Sequence, residues 1–365
     1  MPEPKKTPFY QLHVANHAKM VEFAGYLMPI QFRGIMEEHR RVRSTVGLFD
    51  ITHMGEFELW GEDAESFIQK MTTNDVSKLA VHQVQYSCMC YDHGGIVDDL
   101  LVYRLPDHFL LVVNGACLDK DFKWLSDHLS GDVRLRNESD NTALLALQGP
   151  KAEDVMRKLT DVDLSQLHYY WSTRGKVNGR EILFSRTGYT GEDGFELYFG
   201  PDLAEGMWKA LMQAGKEFDI EPIGLGARDS LRLEMKMMLY GNDIDQTTNP
   251  IEAGLGWIVK PDKGDFVGRE PILKMKEQKP QRKLVAFELS ETGFPRPHYE
   301  IQKAGKKVGQ VTSGTFSPSL NKGIGLGYVP AELAQIDTEL DIIIRGKPCR
   351  AVVVKPPFYK DATHK

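Results

Sequence analysis

The chain holds little of what would place it in a specialised class. Four cysteines in 365 residues (Cys88, Cys90, Cys117 and Cys349) are too few for a disulfide scaffold, and their spacing makes no four-thiolate metal site. They are expected to pack as small apolar residues, with Cys88 and Cys90 on one face of a strand. No apolar run approaches the roughly 18 residues needed to cross a bilayer. Residues 1–6 carry neither the apolar core of a secretion signal nor an Arg- and Ser-rich leader, so a cytoplasmic location away from membranes is expected. Excess positive charge is missing too: the net charge of −6 offers no broad field for nucleic acid. There is no Gly-x-Ser-x-Gly elbow, no dinucleotide fingerprint, and no lysine after the glycine-rich segments to make a phosphate loop. His13 and His17 stand four apart without the glutamate of a zinc-protease pattern; surface or capping roles are expected for both, a packed role for His53, and no metal site. The absence of a heptad seam favours a monomer.

What is present is 41% hydrophobic residue, 33 Gly and 19 Pro, the texture of a globular chain with many turns. Its length exceeds what one core usually serves, so two or three lobes are expected. Amphipathic spacing predicts a helix over 35–44, with Ile35, Met36 and Val42 inward and Glu37, Glu38, Arg40 and Arg41 in water. Strands are predicted over 55–60, 109–114 and 142–147, and helices over 61–71, 118–129 and 151–159. A hairpin is predicted from 169–177 and 181–186 around Asn178-Gly179, the dipeptide suited to a two-residue turn. A polar stretch over 274–282 marks a boundary near 280. Beyond it, short glycine-punctuated strands without helices predict a small barrel or sandwich.

Three segments carry candidate chemistry. Val84 to Tyr91 and Ile96 to Leu105 read as a hairpin turning at Asp92-His93-Gly94-Gly95, and this otherwise buried hairpin contains Asp98 and Asp99. Alternation puts Asp99 on the face of Val97, Leu101 and Tyr103, and Asp98 with Leu100 and Val102. A shielded carboxyl there has a raised pKa unless a cation offsets desolvation; the plainer alternative is a pair of acids capping the hairpin in water. Gly188 to Tyr198 packs three glycines around Glu192, Asp193 and Glu196. The strand near Phe195 makes Glu196 the ligand-facing candidate, against a polar loop entering an edge strand. Gly224 to Glu234 opens a helix whose Arg228 sits in the first turn, where the dipole opposes a cation; a fixed anion explains it better, and an ordinary ion pair at Asp229 is the alternative. Tyr86, Tyr103, Tyr169, Tyr170, Trp171, Tyr189 and Tyr240 would suit either core or the walls of a slot for a flat heterocycle.

Taken together, Phe49-Asp50-Ile51-Thr52-His53-Met54-Gly55-Glu56, Thr72-Thr73-Asn74-Asp75-Val76, Gly94 to Leu100, Leu147-Gln148-Gly149-Pro150, Arg186 to Gly194, Gly226 to Arg232 and Tyr240-Gly241-Asn242-Asp243-Ile244 resemble the T-protein family, the aminomethyltransferases of glycine cleavage, over about residues 7–359. The resemblance implies an α+β, three-lobed cloverleaf. Two interleaved α/β lobes with antiparallel sheets, 1–50 with 140–275 and 51–139, would precede a C-terminal β-barrel at 280–365. It implies a lipoyl-carrying H-protein as transient partner and tetrahydrofolate as acceptor, with ammonia and 5,10-methylenetetrahydrofolate as products. It also implies a functional link to glycine decarboxylase and dihydrolipoyl dehydrogenase, and no need of metal, flavin or nicotinamide. By motif the essential acid is Asp99, and the folate contacts are Met54, Tyr86, Tyr103, Asn114, Tyr169, Tyr170, Tyr189, Glu196 and Arg228. Alternatives within reach of the same resemblance are a folate-accepting demethylation domain and a folate-binding protein assisting iron-sulfur proteins.

Overall fold

The computed structural model describes residues 3–364, and two antiparallel-rich sheets followed by a closed barrel dominate it. The first sheet has six strands, in the order Ser172–Val177, Arg180–Ser185, Gly194–Phe199, Ala143–Gln148, Gly47–Asp50 and Glu221–Ile223. The second has five, in the order Val84–Cys90, Ile96–Arg104, Phe109–Val113, Gly55–Trp60 and Arg134–Asn137. The continuous apolar run Ala143–Gln148 is buried along its whole length, which is how a strand covered on both faces reads in sequence. Leu145 and Leu147 point into a core with Phe184, Phe195 and Trp208. Leu144 and Ala146 point the other way, into a core shared with Tyr103, Leu110 and Val112 of the second sheet. The two sheets therefore pack face to face through one apolar layer.

The hairpin Val84–Cys90 with Ile96–Arg104 is present, and Asp99 shares its face with Leu101 and Tyr103 as expected. Val97 does not: the ladder shifts register between Met89 and Cys90, Val97 drops out of the pairing, and its side chain joins the core of Leu100 and Val102. A bulge re-aims side chains in this way. The turn before it needs its glycine, since Gly94 has φ +86°.

In the helix Ile35–Ser44, Glu38 is fully buried while Met36 is exposed, the reverse of the amphipathic expectation. The Glu38 carboxylate accepts backbone N–H bonds from Phe32, Arg33, Gly34 and Gly224, so it satisfies the orphan donors of a helix start and of a neighbouring segment. His13 is likewise fully buried, its Nε2 2.8 Å from Asp50 Oδ2, where surface or capping was expected. His17 is exposed.

Asn178 and Gly179 both have positive φ in the predicted tight turn. A second such turn, Ala24-Gly25, joins Lys19–Phe23 to Tyr26–Gln31, and sequence reading missed it because alanine seldom occupies that conformation. The polar stretch 274–282 holds the boundary expected near 280, between the end of the helix Arg269–Gln278, anchored by buried Ile272, and the barrel strand that starts at Arg282. The barrel closes in the order Arg282–Leu289, Lys322–Pro330, Lys306–Ser317, Glu300–Lys303, Glu339–Ile344 and Lys347–Val354. Among the described residues no helix is long and apolar enough to cross a membrane.

Candidate active site

Where the apolar layer between the two sheets opens, it leaves a cavity of about 800 Å³. Ile51, Leu101, Val112, Leu144 and Ala146 form its apolar floor. Eight of the nine expected contact residues line it, as does Asp99: Met54 and Asn114 beside the hairpin, Tyr86 on it, Tyr169, Tyr170 and Tyr189 from segments that connect to the first sheet's strands, Glu196 on that sheet, and Arg228 on the helix Leu225–Glu234.

Tyr103 is the exception. It is completely buried and does not reach the cavity; its hydroxyl lies 2.8 Å from the Tyr198 hydroxyl and 3.1 Å from Ser185 Oγ. Ser185 in turn lies 2.6 Å from Thr187 Oγ1, and Thr187 donates to Glu196 Oε2 at 2.5 Å. Tyr103 thus supports the network beneath Glu196 and has no access to a ligand. Strand alternation put it on the same face as Asp99 correctly, but could not say that the first sheet covers it.

Of the two carboxyls that line the cavity, Asp99 is the less buried and Glu196 the more. Tyr86 donates its hydroxyl to Oδ2 at 2.8 Å and Asn114 Nδ2 donates to Oδ1 at 2.9 Å. Burial, then the adjacent Asp98 carboxyl, raises its pKa to about 7, against the pull of those two donors. Asp98 faces the opposite way and is fully buried, accepting from the Asn114 backbone N–H at 3.0 Å and from its side chain at 2.9 Å. One of its oxygens, Cys117 Sγ and a carboxylate oxygen of Asp121 all lie within 4.8 Å of one another. Two acids side by side in a strand therefore have separate environments, one in the cavity and one beneath it.

Arg228 has no carboxylate partner among the described residues; its guanidinium lies over the Tyr189 ring, 4.4 Å from the centroid. Burial lowers its pKa first, with the Tyr189 hydroxyl opposing. The neighbouring Arg232, one turn on, is the structural member of the pair, bonded to Asp229, Asp243 and Ser313. Glu192 and Asp193 lie buried in the bend before the strand Gly194–Phe199, Asp193 gripping Arg186 through both oxygens and Glu192 accepting from Arg43. Burial raises the pKa of Glu196 above that of an ordinary glutamate, with the Thr187 hydroxyl and the Arg228 charge opposing. His53, packed against Phe23, has its pKa pushed down to about 3 by burial, then by Arg228.

Sequence reasoning did not single out several wall residues: Trp257, whose ring stacks 5.9 Å from that of Tyr86, Lys236, Gln148, and the Pro356-Pro357 pair that follows the last barrel strand. Only their position identifies them. Trp257 sits in a short helical turn, Gly256–Ile258, with no periodic pattern around it. Tyr240, counted among the candidate rings, instead hydrogen-bonds the Ile96 carbonyl.

An apolar slot walled by tyrosines, with a carboxyl at one wall and a guanidinium without a carboxylate partner among the described residues at another, has the lining of a site for a flat, polar ring. Known proteins narrow this. The model of the GCVT N-terminal domain matches residues 9–263, and that of the glycine cleavage T-protein C-terminal barrel domain matches residues 282–360. The chain is 51% identical over 362 residues to an aminomethyltransferase of Desulfitobacterium hafniense, covering 99% of each. It is 53% identical over 361 residues to one of Porphyromonas gingivalis, covering 98% of this chain and 100% of that one. The crystal structure of glycine cleavage system aminomethyltransferase T from Bartonella henselae superposes with a TM-score of 0.93 at 33% identity, covering 99% of both chains. The chain belongs to the glycine cleavage T-protein family of aminomethyltransferases.

Proposed function

We propose that the cavity receives tetrahydrofolate and that Asp99 is the catalytic carboxylate of aminomethyl transfer. As a member of its family the chain is a tetrahydrofolate-dependent aminomethyltransferase, taking the aminomethyl group from H-protein. The lipoyl arm presents this group on sulfur. Two folate nitrogens bond to its carbon while the carbon–nitrogen bond to ammonia and the carbon–sulfur bond to the lipoyl arm break. The two displaced folate protons end on ammonia and on the lipoyl thiol, so no electrons are gained or lost overall. Departure of ammonia leaves an iminium-like cation, which an anionic Asp99 stabilises and orients. The observation that carries this reading is Asp99 itself: a carboxyl at the cavity wall, fixed by Tyr86 and Asn114 and titrating near neutrality.

In this reading Glu196 hydrogen-bonds the pterin, the rings of Tyr169, Tyr170 and Tyr189 flank it, Met54 and Trp257 close the slot, and Arg228 takes an anionic group of the substrate. H-protein meets the cytoplasmic monomer transiently and passes on to the other glycine-cleavage components. Incubation of the chain with aminomethylated H-protein and tetrahydrofolate should release ammonia and methylenetetrahydrofolate in equal amounts. Release that runs equally fast without the chain would overturn the proposal.

A further inference from the structure

Residues 355–364 leave the last barrel strand and cross to the first lobe without forming a helix or strand of their own. Phe358 and Tyr359 both donate their backbone N–H to the Glu234 carbonyl, at 2.8 and 3.1 Å. They thereby satisfy an orphan acceptor at the end of the helix that carries Arg228. The Arg43 guanidinium lies over the Tyr359 ring, 4.2 Å from its centroid. Beyond this anchor the segment meets three consecutive residues of the bend between Tyr189 and Glu196. Thr363 Oγ1 accepts from the Asp193 backbone N–H at 3.1 Å and donates to Glu192 Oε2. The His364 backbone N–H donates to the Gly191 carbonyl at 3.2 Å, and its Nδ1 lies 2.7 Å from the same oxygen. The His364 ring also packs on Tyr169, with centroids 4.8 Å apart.

Gly191, Glu192 and Asp193 do not line the cavity, whereas Tyr189 and Thr190 before them, Glu196 after them and Tyr169 do. One hydroxyl and one imidazole therefore hold, from behind, a bend whose two ends carry slot residues. We propose that Thr363 and His364 are positioning residues for the folate slot: their segment straps the bend and Tyr169 into the arrangement that receives the flat ring of the substrate. The inference rests on the assignment of the cavity to tetrahydrofolate. Asp99 is held by other groups, Tyr86 and Asn114, so the strap acts on binding and leaves the chemical step alone. A wall set before the ligand arrives loses little order on binding; a released wall must be ordered by the ligand, which weakens affinity. An irregular segment held by a few side-chain contacts governs local order much more than global stability.

The test compares the wild type with Thr363→Ser and with the double variant of Thr363→Val and His364→Ala. In the double variant KM for tetrahydrofolate should rise about 10-fold while kcat stays within about twofold, the pattern of lost binding that ground and transition states share. Thr363→Ser keeps the hydroxyl and should keep the wild-type KM. In the ligand-free double variant, hydrogen exchange of the amides of 188–194 should be faster by about 10-fold, with the urea midpoint of global unfolding unchanged. An unchanged KM, a fall in kcat alone, or unaltered exchange would overturn the proposal. A lowered urea midpoint with KM and exchange unchanged would mark a purely structural contact and overturn it too. Should the double variant not fold, the wild type carries the test. Tetrahydrofolate should then slow exchange in 358–364 as well as in the bend, because coupling between the two is reciprocal; protection confined to the bend would refute the strap. Exchange in the ligand-free chain does not depend on folate or turnover, so it separates failure of this inference from failure of the transfer assignment.

Discussion

Asp99 holds its proton more tightly in the folded chain than in the unfolded one, and it must lose that proton to act as a carboxylate. Between the ordinary aspartate range and about 7 the native state therefore binds the extra proton, so stability falls as pH rises through that window. Asp99→Asn should abolish this loss: thermal melting at alkaline pH should show the variant more stable than wild type by roughly 1 to 2 kcal/mol, less than the full shift because the carboxyl opens onto the cavity. The same change should lower turnover by about 100-fold or more, and a folded variant with near-normal turnover would remove Asp99 from catalysis. In the wild type, kcat/KM should fall on the acid side with a midpoint near 7. Arg228→Lys keeps the charge but loses the planar fork, and folate titration should show binding weaker by roughly 1 to 3 kcal/mol; unchanged affinity would make Arg228 a bystander. The acids and the cation were legible in sequence because a charge inside an apolar pattern is conspicuous. Tyr103 was not separable from Tyr86, because a buried tyrosine and a cavity tyrosine share one alternation pattern and only the covering sheet distinguishes them.

At the scale of elements, the hairpin is the unit that aims Asp99, and its tip is wedged against the segment that follows the helix Leu225–Glu234. A Cβ built on Gly95 would lie 2.0 Å from the Gln246 carbonyl oxygen, a backbone atom that cannot step aside. Gly95→Ala should thus cost about 1 to 3 kcal/mol in urea unfolding and lower turnover as well; retention of both would show that the tip is free to move. Strands and hairpins were readable wherever turn chemistry was conventional, as at Asn178-Gly179. They were hidden where it was not, as at Ala24-Gly25, and the register shift that turns Val97 away from Asp99 has no local signature at all. Glu38 shows the same limit: a charged residue on an amphipathic helix reads as solvent-facing until the loop amides that claim it are in view.

Across the whole molecule, the barrel is fastened to the rest by Arg232, which is almost fully buried and bonds Ser313 of the barrel at 2.8 Å and Asp243 at 2.7 Å. Arg232→Met should leave Asp243 buried without its cation and cost about 3 to 5 kcal/mol, read by chemical unfolding. A loss within 1 kcal/mol would show that the barrel docks independently of this contact. Order and spacing of the motifs along the chain gave the family and its three-part plan; the strand pattern alone left a barrel or a sandwich open, and the resemblance chose the barrel that the structure shows. Face-to-face packing of the first two sheets was not legible, since it depends on which of two buried faces each strand turns toward the other.

The walls of the cavity come from residues as far apart as Phe49 and Pro357. During synthesis the first sheets emerge early and fold while the remainder is still being translated. The pocket, however, lacks part of its wall until the segment beyond the last barrel strand has left the ribosome. A nascent chain stalled between residue 228 and that segment would own Asp99, Glu196 and Arg228 and still have an unfinished slot, so the ability to hold ligand should appear only once Pro356 and Pro357 are free to close the wall.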